Sequence, residues 1–180
     1  MALTATIYTL QVELADVDRG VYETLPLRVA QHPSETVEYL WTRILAYCLE
    51  YTEGIGFSNG IAEPDEPAIT VRDLTGALQA WIDIGAPDAA RLHRASKRSR
   101  RVAVYTHRDP HLILRQLTGE KIHRVSELEI YALDREMIAE LSARLERRTA
   151  LALSVTDRHL FATIGGRTCS GAIERVIIPG

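Results

Sequence analysis

Cysteine is scarce in this chain: Cys48 and Cys169 are the only two among 180 residues. Cys48 falls on the apolar face of an expected helix and Cys169 in a glycine-rich stretch, so no disulfide framework is implied and a reducing compartment is expected. No apolar run approaches the roughly 20 residues that a membrane helix needs. Met1 to Thr6 lacks the basic-then-apolar order of a signal peptide. These absences predict a cytoplasmic protein with no membrane partner. An excess of positive charge is also missing. The formal net charge is −3, which excludes a globally basic nucleic-acid binder and leaves room only for a local basic patch. Repeats, low-complexity tracts and long linkers are absent too. What is there is ordinary for a globular chain, 46% apolar and 25% charged, and long enough to bury a core without metal or disulfide staples. A single domain over residues 1–180 is expected.

Periodicity divides that length. Residues 3–14 and 21–30 alternate apolar and polar around the turn at Asp16–Gly20, which predicts a long hairpin. Val37, Leu40, Trp41, Ile44, Leu45 and Cys48 recur at three and four, which predicts a helix over about 35–51 with Ser34 as its cap. A short strand is expected around Phe57. Strands at 68–73 and 78–84 flank a turn at Leu74–Ala77. A helix from Pro87-Asp88 to about Ser99, a strand at 101–107 and a helix capped by Asp109 follow. A strand at 126–132, a helix capped by Asp134, a closing hairpin at 149–155 and 159–164, and a strand at 174–178 complete the chain, with the Gly165–Gly171 stretch turning it. This is an α/β (α+β) fold with a mixed sheet. Its core, residues 31–107, runs helix, three strands, helix, strand. Terminal hairpins at 1–30 and 148–180 are expected to supply a second β layer.

One stretch carries chemistry. Pro64-Asp65-Glu66-Pro67 precedes the central hairpin, and Asp83 ends it. If the turn centres on Thr75-Gly76, Asp83 lies across from Ala68, with Asp65 and Glu66 just beyond at the same end. Carboxylates that converge repel one another unless a cation or proton joins them. Mg²⁺ or Mn²⁺ suits such oxygen donors. Immediately afterwards Arg91, Arg94, Lys97, Arg98, Arg100 and Arg101 crowd one short segment. That is a phosphate-contacting patch or, more plainly, a solvated helix face. The plain alternative for the acids is turn carboxylates satisfied by arginine.

The order of elements and acids resembles the PD-(D/E)xK nuclease superfamily. There the first acid lies near the start of the second strand, and the second acid and a lysine lie on the third. Asp65-Glu66 would match the first element and Asp83 the second. Gly85 stands where the lysine would be. The resemblance therefore implies Asp65, Glu66 and Asp83 as metal ligands, with Asp83 and Glu66 catalytic. Arg94 or Lys97 would supply the missing basic group from the following helix, and Arg91 and Arg98 would bind phosphate. Glu35 or Glu38, steadied by Arg43, would support the site from the first helix.

More specifically, the chain resembles the YaeQ family over essentially its whole length. The resemblance rests on His32-Pro33-Ser34-Glu35-Thr36 with Arg43, Asp65-Glu66-Pro67, Trp81-Ile82-Asp83-Ile84-Gly85 with Pro87-Asp88, and Val102-Ala103-Val104-Tyr105-Thr106. It implies the restriction-endonuclease-like fold and an acidic cavity, and no demonstrated reaction. Two functions stay open: a Mg²⁺-dependent phosphodiesterase or nuclease, and a catalytically silent module that binds nucleic acid or protein.

Overall fold

The computed structural model describes residues 4–58 and 65–179. Pro64, which opens the acidic motif, and Gly60 lie outside them. In chain order the first elements are β1 (Thr6–Asp16), β2 (Val21–Gln31), α1 (Val37–Leu49), β3 (Ile55–Phe57), β4 (Ile69–Arg72) and β5 (Leu78–Ile84). Then come α2 (Ala89–Arg98), β6 (Arg101–Thr106), α3 (Pro110–Leu117), β7 (Glu129–Leu133) and α4 (Arg135–Ser142). β8 (Arg148–Thr156), β9 (His159–Ile164) and β10 (Arg167–Val176) end the chain. The class is α/β, and the order α1-β3-β4-β5-α2-β6 is the expected one.

The chain forms two compact units. The first comprises residues up to Trp41 together with Leu133–Ile173; the second comprises Thr42–Ala132 and the residues from Glu174 onward. α1 crosses from one to the other.

The first unit is a sheet with strand order β2-β1-β8-β9-β10. β1 and β2 pair along their whole length, from Thr6 with Gln31 to Asp16 with Val21. β1 then pairs in parallel with β8, Thr9 beside Arg148 through Asp16 beside Val155. The two terminal segments thus share one sheet. The cause is the two-residue period: Leu10, Val12, Leu14, Leu25, Leu27 and Val29 are buried on one face, as are Leu151, Leu153 and Val155. α4 buries Met137, Ile138 and Leu141. Each such side chain contributes about 1.5–3 kcal/mol when fully buried.

The second unit is a mixed sheet. β3, β4 and β5 are antiparallel, and β5, β6 and β7 are parallel. In the β4–β5 hairpin Ile69 faces Ile82, Thr70 faces Trp81 and Val71 faces Ala80, the register inferred from the turn position. The turn is closed by the Gly76 N–H, which donates to the Asp73 carbonyl at 2.9 Å. Behind the parallel strands lies a core of Trp81, Leu92, Val104, Ile113, Leu117 and Ile130, among others.

Local details differ from the sequence reading. Thr36, not Ser34, caps α1: its Oγ1 accepts from the Tyr39 N–H at 3.0 Å. Ser34 is occupied by His32, whose Nδ1 accepts from the Ser34 N–H at 3.1 Å. The His32–Glu35 turn, closed by the Glu35 N–H donating to the His32 carbonyl at 2.9 Å, delays the start of the helix. Asp88 is the cap of α2, accepting from the Arg91 N–H at 2.8 Å, and Pro87 precedes that cap instead of sitting inside the helix. The Gly165–Gly171 stretch is mostly strand. Only Gly165 and Gly166, at φ 57° and 77°, make the turn, and β10 continues unbroken to Val176. Among the described residues no helix is long and apolar enough to cross a membrane.

Candidate functional site

The site lies in the second unit, where β5 ends and α2 begins. β5 carries five consecutive buried residues, from Ala80 to Ile84, because it is paired on both edges. Asp83 is therefore carried into the interior, with 2% of its surface exposed. A lone carboxylate there would be costly, so a counter-charge is required. Gly85, at φ 91°, turns the chain out of the strand, and its N–H donates to the Tyr105 carbonyl at 2.9 Å. Arg91 lies in the first turn of α2 and supplies the charge. Its Nε donates to Asp83 Oδ2 at 2.8 Å and its Nη2 to Asp83 Oδ1 at 2.9 Å. This bidentate fork is among the strongest ion-pair geometries available to side chains.

The same guanidinium reaches the acidic loop. Arg91 Nη2 also donates to the Glu66 backbone carbonyl at 2.6 Å. Arg98 Nη1 donates to the Asp65 carbonyl at 3.1 Å. Both arginines lie near the Trp81 ring, with Cζ at 5.5 and 6.0 Å from the ring centroid. It is thus the backbone of Asp65 and Glu66 that α2 holds, while both residues are exposed. The loop does meet the strand end, but through arginine. Among the described residues no group of three or more His, Cys, Asp or Glu side chains is placed to hold a metal ion. Both oxygens of Asp83 already accept from Arg91, so the donor set as it stands does not fit a divalent cation.

The expectation that Arg94 or Lys97 reaches Asp83 is corrected. Both are exposed, and Arg91 takes that position. Helical geometry gives the reason. At about 100° per residue, Arg91 and Arg98 fall within about 20° of one another, at the edge of the buried stripe, while Arg94 and Lys97 lie further round toward solvent. Leu92, Ala95, Ser96 and Ser99 form that buried stripe. Arg91 and Arg98, expected as phosphate ligands, are both engaged with this chain's own atoms.

The supporting residues divide between the units. Glu35, in the first, is 7% exposed, and its Oε1 accepts from the His32 N–H at 3.2 Å. Glu38 is in the first turn of α1. Arg43, in the second unit, is 3% exposed, with Cζ 5.6 Å from the Phe57 ring, which stacks on Tyr47 at 4.4 Å.

A charged network missed from sequence lies nearby. Arg101, at the start of β6, donates to both oxygens of Glu50 at 2.6 and 2.9 Å, and to both of Glu129 at 2.6 and 3.0 Å. The Tyr105 hydroxyl donates to Glu50 Oε1 at 2.6 Å, and the Tyr131 hydroxyl to Glu129 Oε1 at 2.6 Å. The hydrogen bonds that Arg101 donates to Glu50 push its pKa upward against the effect of burial. Burial, then the neighbouring Glu50 carboxylate, pushes the Tyr105 phenol well above its usual value.

Comparison with known proteins settles the family. The family described as "YaeQ protein" matches residues 1–173. The chain belongs to the YaeQ family. An uncharacterized YaeQ protein of Escherichia coli strain K12 is 34% identical over 158 residues, 87% of each chain. That of Salmonella typhi is 32% identical over the same share. The crystal structure of YaeQ from Pseudomonas syringae superposes with a TM-score of 0.87 at 27% identity, covering 97% of each chain. That of YaeQ from Xanthomonas axonopodis pv. citri gives 0.83 at 28% identity, covering 98% of this chain and 100% of that one. The Asp83–Arg91 pair is thus a feature of a YaeQ-family chain whose fold extends across nearly its full length.

Proposed function

We propose that the second unit is a catalytically silent nucleic-acid-binding module on a nuclease-like fold. Arg91 fills at Asp83 the role that a divalent cation would have in a working nuclease. The observation that carries this reading is the bidentate Asp83–Arg91 pair, which uses both carboxylate oxygens. A guanidinium cannot serve as a general base, because it stays protonated. The binding surface is α2 and the residues just past its end: Arg94, Lys97 and Arg98 are exposed on the helix and Arg100 beyond it. His93 lies on the same helix. Its pKa is lowered by loss of hydration first, then by the charges of Lys97, Lys121 and His123. Phosphate contacts from such a face give affinity with little sequence preference.

Fluorescence anisotropy of labelled single-stranded and duplex DNA, taken through a salt series, tests this. Arg94→Glu with Lys97→Glu is expected to weaken binding and make its salt dependence shallower. Unchanged binding rejects the module.

A second reading is a Mg²⁺- or Mn²⁺-dependent phosphodiesterase with Asp65, Glu66 and Asp83 as ligands. It is favoured by one observation: the Asp83 carboxylate and the Glu66 carbonyl both accept from one guanidinium, and with Arg91 withdrawn those oxygens are the groups that would hold a cation. Mn²⁺ titration followed by electron paramagnetic resonance separates the two readings. Uptake by the wild type, with DNA cleavage lost in Asp83→Asn, supports the phosphodiesterase. Uptake only after Arg91→Ala supports the silent module.

A further inference from the structure

A separate cleft lies in the first unit, where α4 gives way to β8 and β9 turns into β10. Its volume is about 500 Å³, and Arg144, Arg148 and Arg167 line it against a single acid, Glu146. Clefts of roughly 300–1,000 Å³ are the usual size for small-molecule sites. Three arginines against one acid give the cleft lining an excess of positive charge, which favours an anion there.

Each arginine is carried on fixed backbone. Arg148 opens β8 and is paired with Thr9 of β1. Arg167 opens β10 and is paired with Ile164 across the Gly165-Gly166 turn. Arg144 follows α4. Its Nη1 donates to the Arg167 carbonyl at 3.2 Å and its Nη2 to Glu140 Oε2 at 3.3 Å, which orients the guanidinium and leaves further N–H groups to donate. The segment leading into Arg148 is held by Thr149, whose Oγ1 donates to the Glu146 carbonyl at 3.0 Å and accepts from the Glu146 N–H at 3.2 Å. Rigid placement lowers the entropic cost of binding.

We propose that this cleft binds the phosphate groups of a small anionic ligand. Guanidiniums match phosphate in charge and in the fork of their donors. Ile164 gives the cleft an apolar side that a sugar or base attached to the phosphates would cover. Glu140 offsets part of the Arg144 charge and Glu146 faces the ligand, so the affinity comes chiefly from Arg148 and Arg167. The site is independent of the acidic loop and of α2.

Isothermal titration calorimetry of the full chain with pyrophosphate and with ADP tests it. Both probes are expected to bind. Equal affinity means that the phosphates alone are read; tighter ADP binding means that the apolar side contributes as well. Arg148→Ala and Arg167→Ala, both at exposed positions, are expected to weaken pyrophosphate by about tenfold each, the loss of one charge-assisted contact. Glu146→Gln is expected to tighten it. Arg115→Ala, exposed on α3, is expected to leave it unchanged. Absence of binding by both probes overturns the proposal. So does an Arg115→Ala loss equal to that of the cleft variants, which would mean general charge attraction.

Discussion

Both oxygens of Asp83 accept from Arg91, at 2.8 and 2.9 Å, with the Asp83 side chain 3% exposed and the Arg91 side chain 23% exposed. Breaking such a pair from one side leaves a buried charge without its partner. Arg91→Met is therefore expected to destabilise the protein by about 2–3 kcal/mol, below the fully buried case because the arginine is partly in water. The double variant with Asp83→Asn is expected to recover part of that loss, since no charge is then stranded. Urea unfolding of the wild type, the two single variants and the double variant measures both. Additive losses would show that the pair is not coupled.

The Arg101 network makes a prediction at alkaline pH. Tyr105 keeps its proton in the fold because burial and Glu50 raise its pKa above 10.0, the usual tyrosine value. In the unfolded chain it ionises near that value. The unfolded state then binds fewer protons, so stability falls as pH rises above about 10. Tyr105→Phe makes this decline shallower, with Tyr47 and Tyr131, also shifted upward, supplying the rest, and costs about 1 kcal/mol at neutral pH from the lost hydrogen bond to Glu50. Thermal melts from about pH 8 to 11, a range that brackets the tyrosine value, check the slope. A wild type and a variant with parallel alkaline limbs would rule out Tyr105 as its source.

Asp18 makes the opposite prediction in acid. Its carboxylate accepts from the Asp157 N–H at 2.7 Å and from the Arg158 N–H at 2.9 Å, fixing the β8–β9 turn, whose two residues have φ of 52° and 58°. The Arg158 hydrogen bond, and with it that of Asp157, holds the pKa below the usual aspartate value. A lowered pKa contributes stability above the unfolded value, lost as pH falls through the folded one. Asp18→Asn is expected to flatten the stability profile below about pH 4. Hydrogen exchange at the Asp157 and Arg158 amides in acid gives the local readout, with faster exchange in the variant.

Gly171 is required by a close approach. A Cβ there would lie 2.3 Å from Asp134 Cβ and 2.9 Å from Asp134 Cγ. Asp134 caps α4, its Oδ1 accepting from the Met137 N–H at 2.9 Å. Gly171→Ala must push the cap aside, at a cost of about 1–3 kcal/mol. A drop in thermal midpoint of several degrees is expected, and an unchanged midpoint would show that α4 shifts freely.

Much of the architecture was legible because it rests on short-range rules. Alternation in β1, β2 and β8, the three-four spacing of α1 and the caps at Asp109 and Asp134 each need only a few neighbouring residues to specify them. The register of Ile69 with Ile82 followed from a turn position alone. The Gly165–Gly171 stretch departs from its sequence reading because glycine marks a turn at Gly165 and Gly166 but a tight packing contact at Gly171, and the letter is the same for both.

The sequence by itself determined the element order, the faces that are buried, and that acids and a basic helix occur side by side. Only the tertiary structure decided which cation meets Asp83. That choice depends on the angle at which α2 leaves β5 and on which residues fall at the edge of its buried stripe. It also decided that β1 lies beside β8, which brings Asp18 and Arg158, 140 positions apart, into hydrogen-bonding distance. The Arg144–Arg148–Arg167 cleft follows from the same cause: its residues are gathered by strand pairing and a two-glycine turn, relations that no local window of sequence contains.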